Sequence, residues 1–159
     1  MSTPNVVEMD LAPTTVVGVS GVFTGAMEPD SDAMEVIPQL WKRLMEATGE
    51  HFFTAQWSVG VMNDIGDGAK MNYLAAIRLD DSGGQHEGLE VVELAGGKYV
   101  ACEHVGSLDS LAATTAWFYS DYLATSGLRV RNAYHLEIYD ERFDRHAPDS
   151  VMLICAPVY

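Results

Sequence analysis

Glu137 lies in NAYHLEIYD, a strand-like run from Asn132 to Asp140, and is the residue that fits its surroundings least. A carboxylate turned into an apolar layer costs several kcal/mol unless it is paired, hydrogen-bonded or protonated. One remedy is internal, with a neighbouring Tyr, His or backbone group donating to it. Another is a ligand site, in which the charge stands ready for a cation and aromatic walls supply the remaining affinity. The aromatic stock suits that second use. Trp41 and Trp117 fall at equivalent points of two helical segments and are expected to face each other across the junction of the halves, Tyr73 shares a strand face with Met71, Ala75 and Ile77, and Tyr139 lies on the face of Glu137 within reach of its carboxylate. A catalytic use is open to the same groups, with Glu137 as general base or proton donor and Tyr73 holding a developing oxyanion.

The elements that must position these groups follow a repeated order. TTVVGVSGVFTG, Thr14 to Gly25, reads as a strand. Asp30, Ser31 or Asp32 can cap the helix that follows, where Met34, Ile37, Leu40, Trp41, Leu44 and Met45 recur at helical spacing before Gly49. Pro38 implies a kink, or a helix that begins just before it. QWSVGVMND and AKMNYLAAIRL are strands joined by the turn Ile65 to Gly68. The polar, glycine-rich stretch Asp80 to Gly88 reads as a linker, and LEVVEL and KYVACEHVG flank Ala95, Gly96 and Gly97 as a hairpin. A second helix over Ser107 to Thr125 leads to NAYHLEIYD and SVMLICAPV, both strand-like.

Strand, helix, strand, strand thus occurs twice, an α+β organisation of two fused βαββ halves at about 14–79 and 89–159, with residues 1–13 as a loose lead-in. Trp41 and Trp117 stand 76 positions apart, as do Asp64 and Asp140. On that offset Glu137 takes the place of Val61. Val61 reads with Trp57 and Val59 as the set facing the helices, so Glu137 is expected to point inward as well.

Composition narrows the function classes. Nine Lys and Arg against 23 Asp and Glu give a net charge of −14 and a pI near 4.4, which disfavours direct binding to nucleic acid. No run approaches the roughly 20 apolar residues of a membrane helix, and the first residues lack a secretion signal, so a soluble, cytoplasmic chain without a membrane partner is expected. Cys102 and Cys155 sit in apolar strands without CxxC spacing and read as core residues of a reducing compartment. His51, His86, His104, His135 and His146 show no metal-ligand spacing, and neither a metal nor a cofactor is expected. AGGKY lacks the glycine spacing of a phosphate loop, NDIGDG the ligand register of a calcium loop, and GVSG the pattern of a nucleophile elbow.

The run AGGKYVACEHVGSLDSLAATTAWFYSDYLATSGLRVRNAYHLEIYDERF, Ala95 to Phe143, resembles the second half of the GyrI-like small-molecule-binding domain, also found as the effector-binding domain of AraC-type and multidrug-sensing regulators. VIPQLWKRL, Val36 to Leu44, and APV, Ala156 to Val158, are similar to that family's first helix and last strand, and LEIYDERF places its pocket acid on Glu137. The resemblance implies a curved antiparallel sheet carrying two main helices, with a ligand cleft between the halves. It further implies a lipophilic, cationic or aromatic ligand with Glu137 as the pocket acid, beside which the residue pattern sets Trp41, Tyr73, Trp117 and Tyr139 as walls, or hydrolysis of strained cyclopropane-containing genotoxins in the same pocket. Tyr122 and Ala124 depart from the family pattern, where many members carry Trp and Pro. No helix-turn-helix precedes the domain, so the chain is not expected to be a regulator by itself. A protein partner such as a topoisomerase or a separate regulator is compatible with the acidic surface, and a monomer or weak homodimer is expected.

Overall fold

The structure is a computed structural model that describes residues 3–25, 28–66, 69–84 and 87–159. Eight strands form one sheet: β1 (Val6–Leu11), β2 (Thr14–Thr24), β3 (Ser58–Asp64), β4 (Lys70–Arg78), β5 (Glu90–Leu94), β6 (Gly97–Val105), β7 (His135–Tyr139) and β8 (Val151–Pro157). Helix α1 (Ala33–Thr48) and the short α2 (Glu50–Thr54) belong to the first half. In the second half a continuous helical segment comprises α3 (Leu111–Ala116), a wider π turn (Trp117–Tyr122) and α4 (Leu123–Ser126). The strand order is β1-β6-β8-β7-β3-β4-β2-β5, every neighbouring pair is antiparallel, and the sheet curls into a half-barrel.

Read from its two edges, the order repeats the same scheme, with β2, β3 and β4 in one half matching β6, β7 and β8 in the other. The helix of each half covers its own strands. Leu40 and Leu44 of α1 pack on Val17, Tyr73, Ala75 and Ile77, while Phe118 and Leu123 pack on Val100, Cys102, Met152 and Ile154. The opposite face carries a third apolar cluster shared by both halves, including Val59, Val61, Leu136, Ile138 and Leu153. β3 and β7 form the central pair, so the side chains they raise toward the helices emerge between the two helix layers.

The corner into α1 is fixed by short polar side chains. The Asp32 carboxylate accepts from the Thr24 amide at 2.7 Å, and the Ser31 hydroxyl donates to the Thr24 carbonyl at 2.9 Å while accepting from Ala33. This ties the end of β2 to the helix start. The helix begins at Ala33 and continues through Pro38 rather than starting beside it. In the second half Ser107 accepts from the Asp109 amide and opens the helical segment, close to the expected boundary.

Two expectations are corrected. Where it is described, the expected loose lead-in over residues 1–13 is instead an edge strand, because Val6, Met9 and Leu11 turn inward along β1, which pairs with β6 from Val6↔Cys102 to Leu11↔Gly97. Glu8 and Asp10 between them masked a half-buried edge strand. Nor do LEVVEL and KYVACEHVG form a hairpin, since β5 pairs with β2 from Thr14↔Leu94 to Gly18↔Glu90. Gly96 and Gly97, at φ 80° and 107°, instead carry the chain away from its own neighbour, a path that residues with a side chain rarely adopt. The expected turn at Ile65 to Gly68 and linker at Asp80 to Gly88 lie partly outside the described residues.

The β1 edge can be tested directly. Deleting residues 1–11 uncovers the backbone of β6 and the apolar contacts of three side chains, worth about 2–3 kcal/mol. The melting temperature should fall by roughly 5–10 °C, and sedimentation should show concentration-dependent self-association through the bared edge.

Candidate functional site

Glu137 and Gly60 stand directly opposite each other on β7 and β3, flanked by the pairs Ser58↔Tyr139 and Met62↔His135. Cross-strand partners point to the same face, and here that face is the one between the helices. Val61 pairs with Leu136 on the opposite face, so the offset of 76 residues is one position out at this strand pair. The inward direction expected for Glu137 is found; its equivalence to Val61 is not.

The Glu137 Oε1 accepts from the Tyr73 hydroxyl at 3.0 Å and from the Tyr139 hydroxyl at 3.3 Å. Trp41 Nε1 donates to the Tyr73 oxygen at 3.1 Å, so indole, phenol and carboxylate form one directed chain. Burial raises the Glu137 carboxyl above its ordinary value, and the two tyrosine donors oppose that rise. Burial and the surrounding acidic groups lift the phenols of Tyr73 and Tyr139, keeping both as donors at neutral pH.

Gly60 makes this geometry possible. A Cβ at that position would collide with the Tyr73 phenol, whose ring is wholly buried and whose oxygen reaches beneath Glu137. The alternation that reads Trp57, Val59 and Val61 toward the helices puts Ser58 and Gly60 on the other face, and the structure reverses this: Val59 and Val61 lie in the opposite cluster and Gly60 stands opposite Glu137. Its only signal was a glycine one strand away from the acid, legible once the register is known.

Aromatic rings surround the acid on the side of α1. Trp41 meets Tyr139 edge-on at 5.5 Å, Tyr73 at 6.3 Å and Phe52 of α2 at 6.2 Å, and Tyr139 meets Phe143 at 4.8 Å. Beside Tyr139 opens a groove of about 650 Å³ whose walls include Phe52, Phe53, Trp57 and Phe143, with Asp140 and Glu141 among its lining. Phe53 is 74% exposed there although α2 is otherwise held against Trp41 through Phe52. Phe52, Phe53 and Phe143 were not singled out from sequence. Phe52 and Phe53 follow Gly49, where the helical pattern ends, and Phe143 follows the strand.

Of the expected site residues, the structure brings Trp41, Tyr73, Glu137 and Tyr139 together. Trp117 does not face Trp41 across the junction. It sits on the π turn with its ring 5.8 Å from Tyr122, packed against the core of the second half. Tyr119 is the residue that the second helix turns toward the acid. Its phenol is raised by burial and also by the Cys155 thiol and Glu137, and its hydroxyl lies 2.8 Å from His135 Nδ1. The widened turn shifts the register of the helix, which a regular helical period cannot reveal. His135 is on the face of Glu137 two residues earlier and is held toward its neutral form by burial.

Among the described residues, no group of three or more metal-ligating side chains occurs, and no helix is long and apolar enough to cross a membrane. Cys102 and Cys155 are both buried free thiols, raised by burial.

The sequence profile of the GyrI-like small molecule binding domain matches residues 4–158. Among solved structures, SAV2435 bound to tetraphenylphosphonium is similar over 98% of this chain and 94% of its own, at 20% identity and a TM-score of 0.71. An integron cassette protein from the mobile metagenome of Vibrio cholerae is similar over 97% and 95%, at 15% identity and a TM-score of 0.68. A hydrolase from Listeria innocua is similar over 98% and 92%, at 14% identity and a TM-score of 0.53. At these identities the likeness is one of fold. No curated protein matches the chain.

Two substitutions examine the site without a ligand. Gly60→Ala should destabilise the fold by about 1–3 kcal/mol in urea titration, because Tyr73 has no free space to retreat into. For Glu137 the folded value lies above the usual 4.5, so its contribution to stability is full below that value and is lost as pH rises through the raised one. Glu137→Gln keeps an acceptor for both phenols and removes this loss. Its melting temperature should equal or exceed wild type at neutral pH, with the gap between the two proteins closing as pH falls toward 4.5.

Proposed function

The chain belongs to the GyrI-like small-molecule-binding domain family, and from that premise we propose that its ligand is a bulky, lipophilic cation held with Glu137 as counter-charge. Trp41, Tyr73 and Tyr139 are the inner aromatic walls, and Phe52, Phe53 and Phe143 extend them into the groove. The observation that carries this reading is a carboxylate at the foot of a ring cluster, hydrogen-bonded to phenols yet without a cationic side chain within ion-pair distance among the described residues. A cation entering beside it regains the electrostatic energy that burial costs the acid, and each ring face adds about 0.5–2 kcal/mol. The acidic charge of the whole chain raises the local concentration of such ligands. A structural neighbour bound to tetraphenylphosphonium supports the choice of ligand class. Sequestration or sensing of a drug-like or toxic cation is the role that follows.

A second reading keeps the pocket and adds chemistry. A raised carboxyl hydrogen-bonded to a buried phenol suits general acid or base work on a strained cyclopropane-type electrophile, with Tyr73 stabilising the developing oxyanion. A hydrolase of similar fold supports keeping it in view.

Titration with tetraphenylphosphonium, followed by quenching of tryptophan fluorescence, should saturate in wild type and weaken about tenfold or more in Glu137→Gln. The neutral analogue triphenylphosphine oxide should be indifferent to the substitution, and unchanged phosphonium affinity would reject Glu137 as counter-charge. Mass spectrometry of a strained cyclopropane electrophile separates the second reading: turnover lost in Glu137→Gln marks an enzyme, and no turnover in either protein marks a binder.

A further inference from the structure

The two oxygens of Glu137 have different surroundings. Oε1 accepts both phenolic protons, from Tyr73 and from Tyr139, which fills the two acceptor positions a carboxylate oxygen offers in its plane. Among the described residues no donor reaches Oε2. Yet the side chain keeps part of its surface in contact with solvent, and no described polar side-chain atom is both buried and unpaired. Oε2 is therefore the oxygen that keeps contact with solvent.

The packing of both phenols holds them on the same oxygen. Tyr73 is wholly buried, takes the Trp41 indole proton on its own oxygen, and lies over the gap left by Gly60. Tyr139 is wedged between Trp41 and Phe143. The carboxylate is thus held by one oxygen and presents the other with a fixed lone-pair direction.

We propose that the ligand is a protonated amine that donates an N–H to Glu137 Oε2, so that the site selects cations bearing at least one N–H over fully substituted onium ions. This rests on Glu137 being the ligand's counter-charge. A fully substituted ion keeps its charge behind carbon and reaches the carboxylate only through van der Waals contact, whereas an N–H donor closes to about 2.7–2.9 Å. An aromatic cage by itself ranks the two oppositely, because the substituted ion gives up its hydration more cheaply. Preference for the N–H ligand therefore reports the free oxygen and not the rings. A phosphonium still binds by charge and ring contact, without the added hydrogen bond.

The test uses two probes that differ by one methyl group. N,N-Dimethyl-(biphenyl-4-yl)methylamine, protonated at neutral pH, and its N,N,N-trimethylammonium counterpart each compete with tetraphenylphosphonium on the full chain. The protonated amine should bind about tenfold or more tighter in wild type. In Glu137→Gln, where the amide places its own N–H₂ at the Oε2 position once its oxygen takes the phenols, the ratio should fall to one or invert. Equal or tighter binding of the trimethylammonium probe in wild type overturns the inference, as does displacement of the phosphonium by neither probe. If Glu137→Gln then weakens every cation alike, the counter-charge role survives alone. If it weakens none, both fail together. The wild-type ratio carries the test even if the variant folds poorly.

Discussion

The hydrogen bond from Tyr73 on β4 to Glu137 on β7 crosses the full width of β3, and the rest of the site depends on it. It spans the seam between two halves that each have their own helix and helix-side core. A glycine must lie beneath it, an indole must feed it from α1, and a second phenol must share the acceptor. Each of these conditions is local, but together they allow an acid to remain among rings without an ionic partner among the described residues. An interior acid satisfied by arginine would have been neutralised from within.

The gross plan was legible in the sequence because it is written in periodicity. Strand-like runs marked the seven strands from β2 to β8, helical spacing marked α1, and the recurrence of the order exposed the duplication. LEIYDERF carried the family resemblance, and with it Glu137. The errors arose where the deciding contact is remote in sequence. β1 and β5 are paired with strands of the other half, and no local pattern in VVEMDL or EVVEL states which partner an edge strand will choose. The hairpin reading took the glycines between β5 and β6 as a tight reversal, although positive φ serves a departing chain equally well.

The site divided in the same manner. Tyr139 and Glu137 are neighbours on one strand, so period two was enough to join them. Tyr73 and Trp41 face inward from elements whose amphipathic pattern was clear. Trp117 does not stand opposite Trp41 because equivalence by offset assumes that both helices turn at the same rate, and among the described residues the π turn breaks that assumption in the second half alone. The role of Gly60 stayed hidden because what a glycine does is set by what its missing side chain would strike, which only register and packing reveal.

The two outermost strands have traded places: the one that leads into the first half completes the sheet of the second, and the one that leads into the second completes the first. The halves are interlocked like clasped hands, not joined by a hinge. Their walls cannot swing apart to admit a larger guest without breaking strand pairing at the rims. Differences in guest size must then be met by rings turning about their own bonds, and a rim side chain as exposed as Phe53 has the freedom to do so.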